Sequence, residues 1–133
     1  MSALTFTLKT VPAHRVDCSP LTPDQLTGKN AADIAAVTLQ SGKQTLRVDS
    51  LFDISGDDAN EIVFKNSHTK LDFIGKAMAS GSITIQGDVG SYLAFQMKNG
   101  TITLHGNASD FAASGMAKGL LHNGFVYVGW YIC

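Results

Sequence analysis

Cysteine, proline and tryptophan are scarce in this chain, and each scarcity closes off a class of structure. Among its 133 residues there are two Cys, three Pro and one Trp. Cys18 and Cys133 stand alone, with no Cys or His partner at ligand spacing, so no disulfide framework or zinc knuckle is expected and both read as free thiols. No apolar run reaches the roughly 18 residues of a membrane span. The opening Met1-Ser-Ala-Leu-Thr-Phe-Thr-Leu lacks the basic start and apolar stretch of a secretory signal, which makes the cytoplasm the expected compartment. Ten Lys and Arg against eleven Asp and Glu leave a formal net charge of −1, scattered without runs. Nucleic-acid binders cluster their basic residues, so neither a nucleic acid nor a membrane is an expected partner. Signatures of catalysis are missing too. There is no Gly-x-Gly-x-x-Gly, no Gly-x-Ser-x-Gly elbow and no activated-cysteine pattern.

What is present is a repeat. Met78-Ala-Ser-Gly-Ser-Ile-Thr-Ile-Gln-Gly-Asp is followed by Met97-Lys-Asn-Gly-Thr-Ile-Thr-Leu-His-Gly-Asn, and a third copy opens at Met116-Ala-Lys-Gly. Met78, Met97 and Met116 recur every 19 residues, as do Gly81, Gly100 and Gly119. Ile83 and Ile102, Ile85 and Leu104, Gly87 and Gly106, and Tyr92 and Phe111 keep the same spacing. Repeats decide architecture before any other signal. Within each copy, Ser82–Gln86 and Thr101–His105 alternate apolar and polar residues, the mark of a half-buried strand. Gly plus Asp or Asn then turns the chain. A repeat of this length is too short for a strand–helix–strand unit, which takes about 30 residues or more. It suits one coil of a parallel β-helix, with equivalent positions stacked about 4.8 Å apart. Ile83 over Ile102, and Tyr92 near Phe111, are expected as interior ladders. Thr84, Gln86, Thr103 and His105 are expected to face outward.

The rest of the chain is expected to cap this array. Leu4–Lys9 alternates as a strand that Pro12 ends. Ser19 is the expected N-cap of a short helix with Pro20 as its first residue, stopped by Gly28. Asn30–Ile34 reads as another short helical turn. Ala36–Gln40 and Gln44–Val48 bracket Ser41-Gly-Lys43 as a hairpin. Leu51–Ile54 is short and apolar, and Gly56-Asp-Asp58 breaks it. Glu61–Lys65 is the expected first coil strand, with two extra residues accommodated in Asn66–Lys70. The fold class is therefore mainly β: a right-handed-type parallel β-helix of about three coils over 61–121, an α+β cap over 1–60 that covers an otherwise unpaired strand edge, and a divergent apolar tail over 122–133.

Candidate chemistry is thin. His14, His68, His105 and His122 do not pair with one another or with a cysteine in repeat phase, so surface or interface positions are expected and no metal site. Asp57-Asp58 and Asp110 read as turn residues. No catalytic residue is assigned.

The repeats resemble the glycine-patterned β-helix found in the C subunit of formylmethanofuran dehydrogenase. Met1-Ser-Ala-Leu-Thr-Phe-Thr-Leu, Ser19-Pro-Leu and Leu71-Asp-Phe-Ile-Gly-Lys-Ala-Met78 look like the bacterial version, the C subunit of the formyltransferase/hydrolase complex of methylotrophs. The resemblance spans roughly residues 1–121; the family continues through further coils where this chain turns into its apolar tail. It implies a complex that moves a formyl group from formyl-tetrahydromethanopterin to a methanofuran-type carrier and releases formate. It also implies a β-helical scaffold subunit whose partners, an amidohydrolase-like and a formyltransferase subunit, hold the metal and carrier sites. The carriers bear glutamate-rich tails, and Lys98 and Lys118, on neighbouring coils with Lys76 nearby, are the candidate basic strip for such a tail. A glutamate-synthase-like β-helix interaction module is the alternative, since its glycine repeat is similar.

Overall fold

The computed structural model describes residues 2–106, together with the strand segments 120–123 and 126–129. Strand β1 (Ala3–Leu8) sets the frame. Its alternation turns Leu4, Phe6 and Leu8 inward, all at most 6% exposed. On one side β1 pairs antiparallel with β5 (Phe52–Ser55), Phe6 opposite Ile54. On the other it runs parallel to β6 (Asp58–Ser67), with Leu4 opposite Ile62 and Phe6 opposite Phe64. Phe6 stacks on Phe64 with ring centroids 5.5 Å apart, and Phe52 meets both edge-on at 5.8 and 6.0 Å. Such ring pairs contribute about 0.5–1.5 kcal/mol each beyond the area they bury.

From β6 the sheet grows by repetition. Strands β8 (Ser82–Gly87), β9 (Thr101–His105) and β10 (Leu120–Asn123) follow in parallel. Ile62, Ile83 and Ile102 fall in one register row, and Phe64, Ile85 and Leu104 in the next. All six are buried, while Thr84 and Thr103 between them are half-buried and Gln86 and His105 are exposed. Strand β11 (Val126–Gly129) closes the row antiparallel to β10. A smaller sheet takes β4 (Gln44–Arg47), β3 (Thr38–Ser41), β2 (Val16–Asp17) and β7 (Leu71–Asp72) in that order. The buried side chains of both sheets form one core.

The turns between repeated strands stack as regularly as the strands. Gly90 N–H donates to Leu71 O at 2.8 Å, Ala94 N–H to Ile74 O at 2.8 Å, Lys98 N–H to Met78 O at 2.8 Å and Thr101 N–H to Gly81 O at 3.1 Å. Ile74 lies one repeat before Leu93, and Met78 one before Met97; all four are buried. The 19-residue period thus extends from the strands into the turns between them.

Several expectations change. The sheets are mixed rather than uniformly parallel, because hairpins or reversals place β5, β3, β4 and β11 antiparallel to their neighbours. The parallel row starts one layer earlier than Glu61–Lys65, since β1 already lies beneath β6. Tyr92 is not an interior residue: it is half-buried at a turn, and Leu93 beside it points inward. Phe111 lies outside the described residues. The first helix, α1 (Pro23–Leu26), starts one proline later than expected, with Thr22 as N-cap and Pro23 at its first position. Asp17 accepts a bond from Ser19 N–H at 2.9 Å and holds that stretch in a turn. The second, α2 (Ala31–Ala35), is capped by Asn30 as expected. A third, α3 (Val48–Leu51), occupies residues read as strand end and linker, and buries Val48 and Leu51. The extra residues fall at a register shift between Phe64 and Ser67, where Asn66 takes a positive φ of 57°, and in the following turn.

Candidate functional site

The polar residues singled out from the sequence do not converge. His14 and His105 are exposed and His68 is half-buried; the side chain of His122 lies outside the described residues. Among the described residues no three His, Cys, Asp or Glu side chains could hold a metal ion together. Asp57 accepts from Ser2 N–H and Asp58 from Asn60 N–H, both at 3.0 Å, so Asp57 ties its bend to the segment before β1 and Asp58 braces the start of β6 locally. Asp110 and Cys133 lie outside the described residues. Cys18 is a free, buried thiol. Burial pushes it far above the ordinary thiol range, and the charges of Asp17 and Asp72 push the same way. A thiol held in its neutral form is neither nucleophile nor ligand. Lys98 is exposed on the turn before β9, and Lys118 lies outside the described residues, so the proposed strip is represented by one lysine.

Two carboxylates tie the N-terminal segment to the coils. Asp72 binds the Arg15 guanidinium in a two-pronged pair at 2.7 and 2.8 Å, and its Oδ1 also accepts Ser91 N–H at 2.8 Å. Arg15 Nη2 reaches Ser91 Oγ at 3.1 Å. Three successive layers are thereby joined at one point. Asp24, in the first turn of α1, accepts from Ala79 N–H and from Ser80 Oγ, both at 2.6 Å. These bonds fix α1 against the coil turn that leads into β8.

Next to that clamp lies the most distinctive surface of the molecule. The turns 73–77 and 92–96 carry five non-glycine residues in the left-handed region: Phe73 (φ 59°), Ala77 (56°), Tyr92 (61°), Ala94 (59°) and Gln96 (54°). Left-handed backbone costs an L-residue with a Cβ about 1–2 kcal/mol. The stacked turns hold these residues there through their shared hydrogen bonds. The effect is to bring Phe73 and Tyr92 into near-parallel stacking, centroids 5.0 Å apart and planes 4° apart. Phe95 closes edge-on against both, at 5.9 and 5.2 Å. Lys76 Nζ sits 5.2 Å from the Phe73 ring centre and 5.9 Å from that of Phe95. All four residues are half-buried. An open groove of about 270 Å³ adjoins them, lined by Ser19, Pro20, Gln25, Lys76 and Ala77. The sequence carries part of this signal: Phe73, Tyr92 and Phe111 are aromatic at the 19-residue period.

The described residues therefore define a mainly β protein of mixed sheets, with a row of parallel strands, a continuous apolar core and an aromatic turn face that carries Lys76. Proteins to which the chain is similar include C subunits of two enzyme complexes. The chain is 32% identical over 80 residues to the C subunit of the formyltransferase/hydrolase complex Fhc of Methylorubrum extorquens, covering 60% of this chain and 30% of that protein. To the C subunit of the tungsten-containing formylmethanofuran dehydrogenase 2 of Methanococcus maripaludis it is 29% identical over 95 residues, covering 70% of this chain and 35% of that protein. A solved structure of the Methylorubrum extorquens formyltransferase/hydrolase complex FhcABCD with methylofuran contains a matching chain. It superposes with a TM-score of 0.83 at 30% identity, over 88% of this chain and 44% of that one. No protein-family model matches. The chain spans less than half the length of these relatives.

Proposed function

We propose that this chain is a non-catalytic scaffold subunit, of the C type, in a cytoplasmic formyltransferase/hydrolase complex related to formylmethanofuran dehydrogenase. In that role it supports formyl transfer to a methanofuran-type carrier and release of formate, with metal and carrier chemistry on companion subunits. The coils over 61–121 act as the opening of a parallel β-helix, 1–60 as its cap, and 122–133 as a divergent tail. The observation that carries the reading is the match of 88% of this chain to a chain of the FhcABCD complex at 30% identity and a TM-score of 0.83. The physics agrees with a scaffold. Stacked coils sharing one core hold a fixed outer face, and the ionisable residues serve turns and layer contacts.

Co-expression of the tagged chain with the amidohydrolase-like and formyltransferase subunits of its source, followed by size exclusion, tests the reading. Co-elution as one complex is the expected result; a chain that elutes alone beside those partners refutes it. Within the same reading, Lys98 and Lys118 form a weak basic strip for the carrier's glutamate-rich tail, supported by the exposure of Lys98. Replacing both with Gln in the assembled complex weakens apparent carrier affinity if the strip acts; unchanged affinity removes it.

A further inference from the structure

We infer that Asn99 is a site of spontaneous backbone modification. Its side chain closes onto the Gly100 nitrogen as a succinimide, which water opens to aspartate or isoaspartate.

Two Asn-Gly dipeptides occur in the chain, Asn99-Gly100 and Asn123-Gly124. Glycine has no Cβ to shield its amide nitrogen, so both pairs are chemically suited to the reaction. The fold separates them. Asn99 is exposed on the bend before β9, and Gly100 follows it at φ +96°. The Asn99 carboxamide makes no hydrogen bond to a described residue, and neither does the Gly100 N–H. Electrophile and nucleophile are thus neighbours in one bend and both unengaged, the condition under which an intramolecular step gains most from proximity. Asn123 differs. It ends β10, with Leu104 beside it on β9 and Val126 on β11. Its backbone has to leave that ladder before the side chain can close on the next residue. At the phase of Asn99, the preceding coil carries Ser80, whose hydroxyl donates to Asp24 and which has no carboxamide to cyclise.

The chemistry balances without an oxidant or reductant. Base takes the proton of Gly100 N–H while the nitrogen bonds to Asn99 Cγ; the Cγ–Nδ2 bond breaks and the nitrogen leaves as ammonia. Water then adds to either ring carbonyl. One opening gives aspartate in the ordinary chain, and the other gives isoaspartate, in which the chain runs through Cβ and Cγ and is one carbon longer. That carbon enters between two interlayer bonds, Asn99 N–H to Met78 O and Thr101 N–H to Gly81 O, both 3.1 Å. The bend is already tight: a Cβ at Gly100 would lie 2.9 Å from Gly81 O and 3.0 Å from Met78 Cε. Isoaspartate therefore displaces at least one of those bonds, whereas aspartate only adds a negative charge beside Lys98.

The test incubates the purified full chain, folded and in denaturant, at mildly alkaline pH. Tryptic peptide mapping with tandem mass spectrometry follows both asparagines and separates aspartate from isoaspartate peptides. In the folded chain, conversion at Asn99 is expected to outpace that at Asn123 about tenfold or more, because only Asn123 needs a prior opening. In denaturant the two rates converge. Asn99→Ser abolishes the faster product and keeps the urea midpoint, and Asn99→Asp keeps the midpoint as well. Equal rates at the two sites in the folded chain overturn the inference, as does an Asn99 that stays intact when folded and converts only in denaturant.

Discussion

Replacing Ile83 measures whether the repeated strands share one interior. Ile83 is fully buried, with Ile62 beside it on β6 and Ile102 on β9. Ile83→Ala removes three carbons from a site that neighbours on both strands hold open, a change that costs roughly 2–5 kcal/mol. Ile83→Val removes one carbon and costs roughly 0.5–1.5 kcal/mol. Thr84, the next residue, faces the other way and is half-buried. Thr84→Ala loses strand preference only, on a scale that spans about 1 kcal/mol. A domain of this kind is stable by about 5–15 kcal/mol, so the alanine at Ile83 removes a large share. With a urea slope of about 1–3 kcal/mol per molar, a loss of about 3 kcal/mol moves the midpoint down by roughly 1–3 M. Urea titration followed by far-ultraviolet circular dichroism resolves the order Ile83→Ala, then Ile83→Val, then Thr84→Ala. If Thr84→Ala proves as costly as Ile83→Ala, the inward and outward faces of β8 have been assigned wrongly and the stacked core fails with them.

Two further outcomes follow from positions described above. Gly81 has φ +78°, and a Cβ there would lie 2.8 Å from Asn60 O and from Pro23 Cβ, whereas a Cβ at Gly28, φ +88°, meets nothing within 4 Å. Gly81→Ala is therefore expected to lower the melting temperature in calorimetry by several degrees more than Gly28→Ala, at about 2–8 °C per kcal/mol; equal shifts would remove the close approach of α1 to the coil. Cys18, in a Cys133→Ser background, is expected to stay unmodified by an aromatic disulfide reagent at pH 8 in the native protein and to react fully in denaturant. Rapid native reaction would contradict its burial.

The legible part of this fold is the part whose information is local. Apolar–polar alternation at Ile83, Ile85, Ile102 and Leu104 states which way each strand faces, and the 19-residue period states what lies beside it. Asn30 and the Ser41-Gly-Lys43 turn are equally local, and their helix and hairpin stand where expected. The pairing of β1 with β6 and of β2 with β7 joins segments far apart in the chain, and no short-range pattern encodes it. The helix cap falls at Thr22 rather than Ser19 because two proline-led starts compete and the Asp17 bond decides between them. Tyr92, an aromatic residue at a repeat position, reads as interior from its type alone. Its left-handed backbone turns the ring outward, a reversal that comes from the stacked turn and not from residue type. The same cause hides the aromatic face: Lys76 reads as an ordinary lysine until the fold brings it over Phe73 and Phe95.

The place of β1 also fixes an order of assembly. It precedes both of its sheet partners along the chain: its parallel neighbour β6 begins only at Asp58, and β5, its antiparallel neighbour, only at Phe52. While the ribosome makes the intervening stretch, Leu4, Phe6 and Leu8 have no sheet to join. Once β5 and β6 emerge, the Phe6–Phe52–Phe64 cluster can close, at the high loop cost of a long-range pairing. Each later repeated strand then has a finished edge waiting, 21 residues on for β8 (Ile62 to Ile83) and 19 residues on for β9 and β10. For the described strands, one slow, long-range step thus precedes the short additions, and β1 is what a chaperone would need to shelter in the interval.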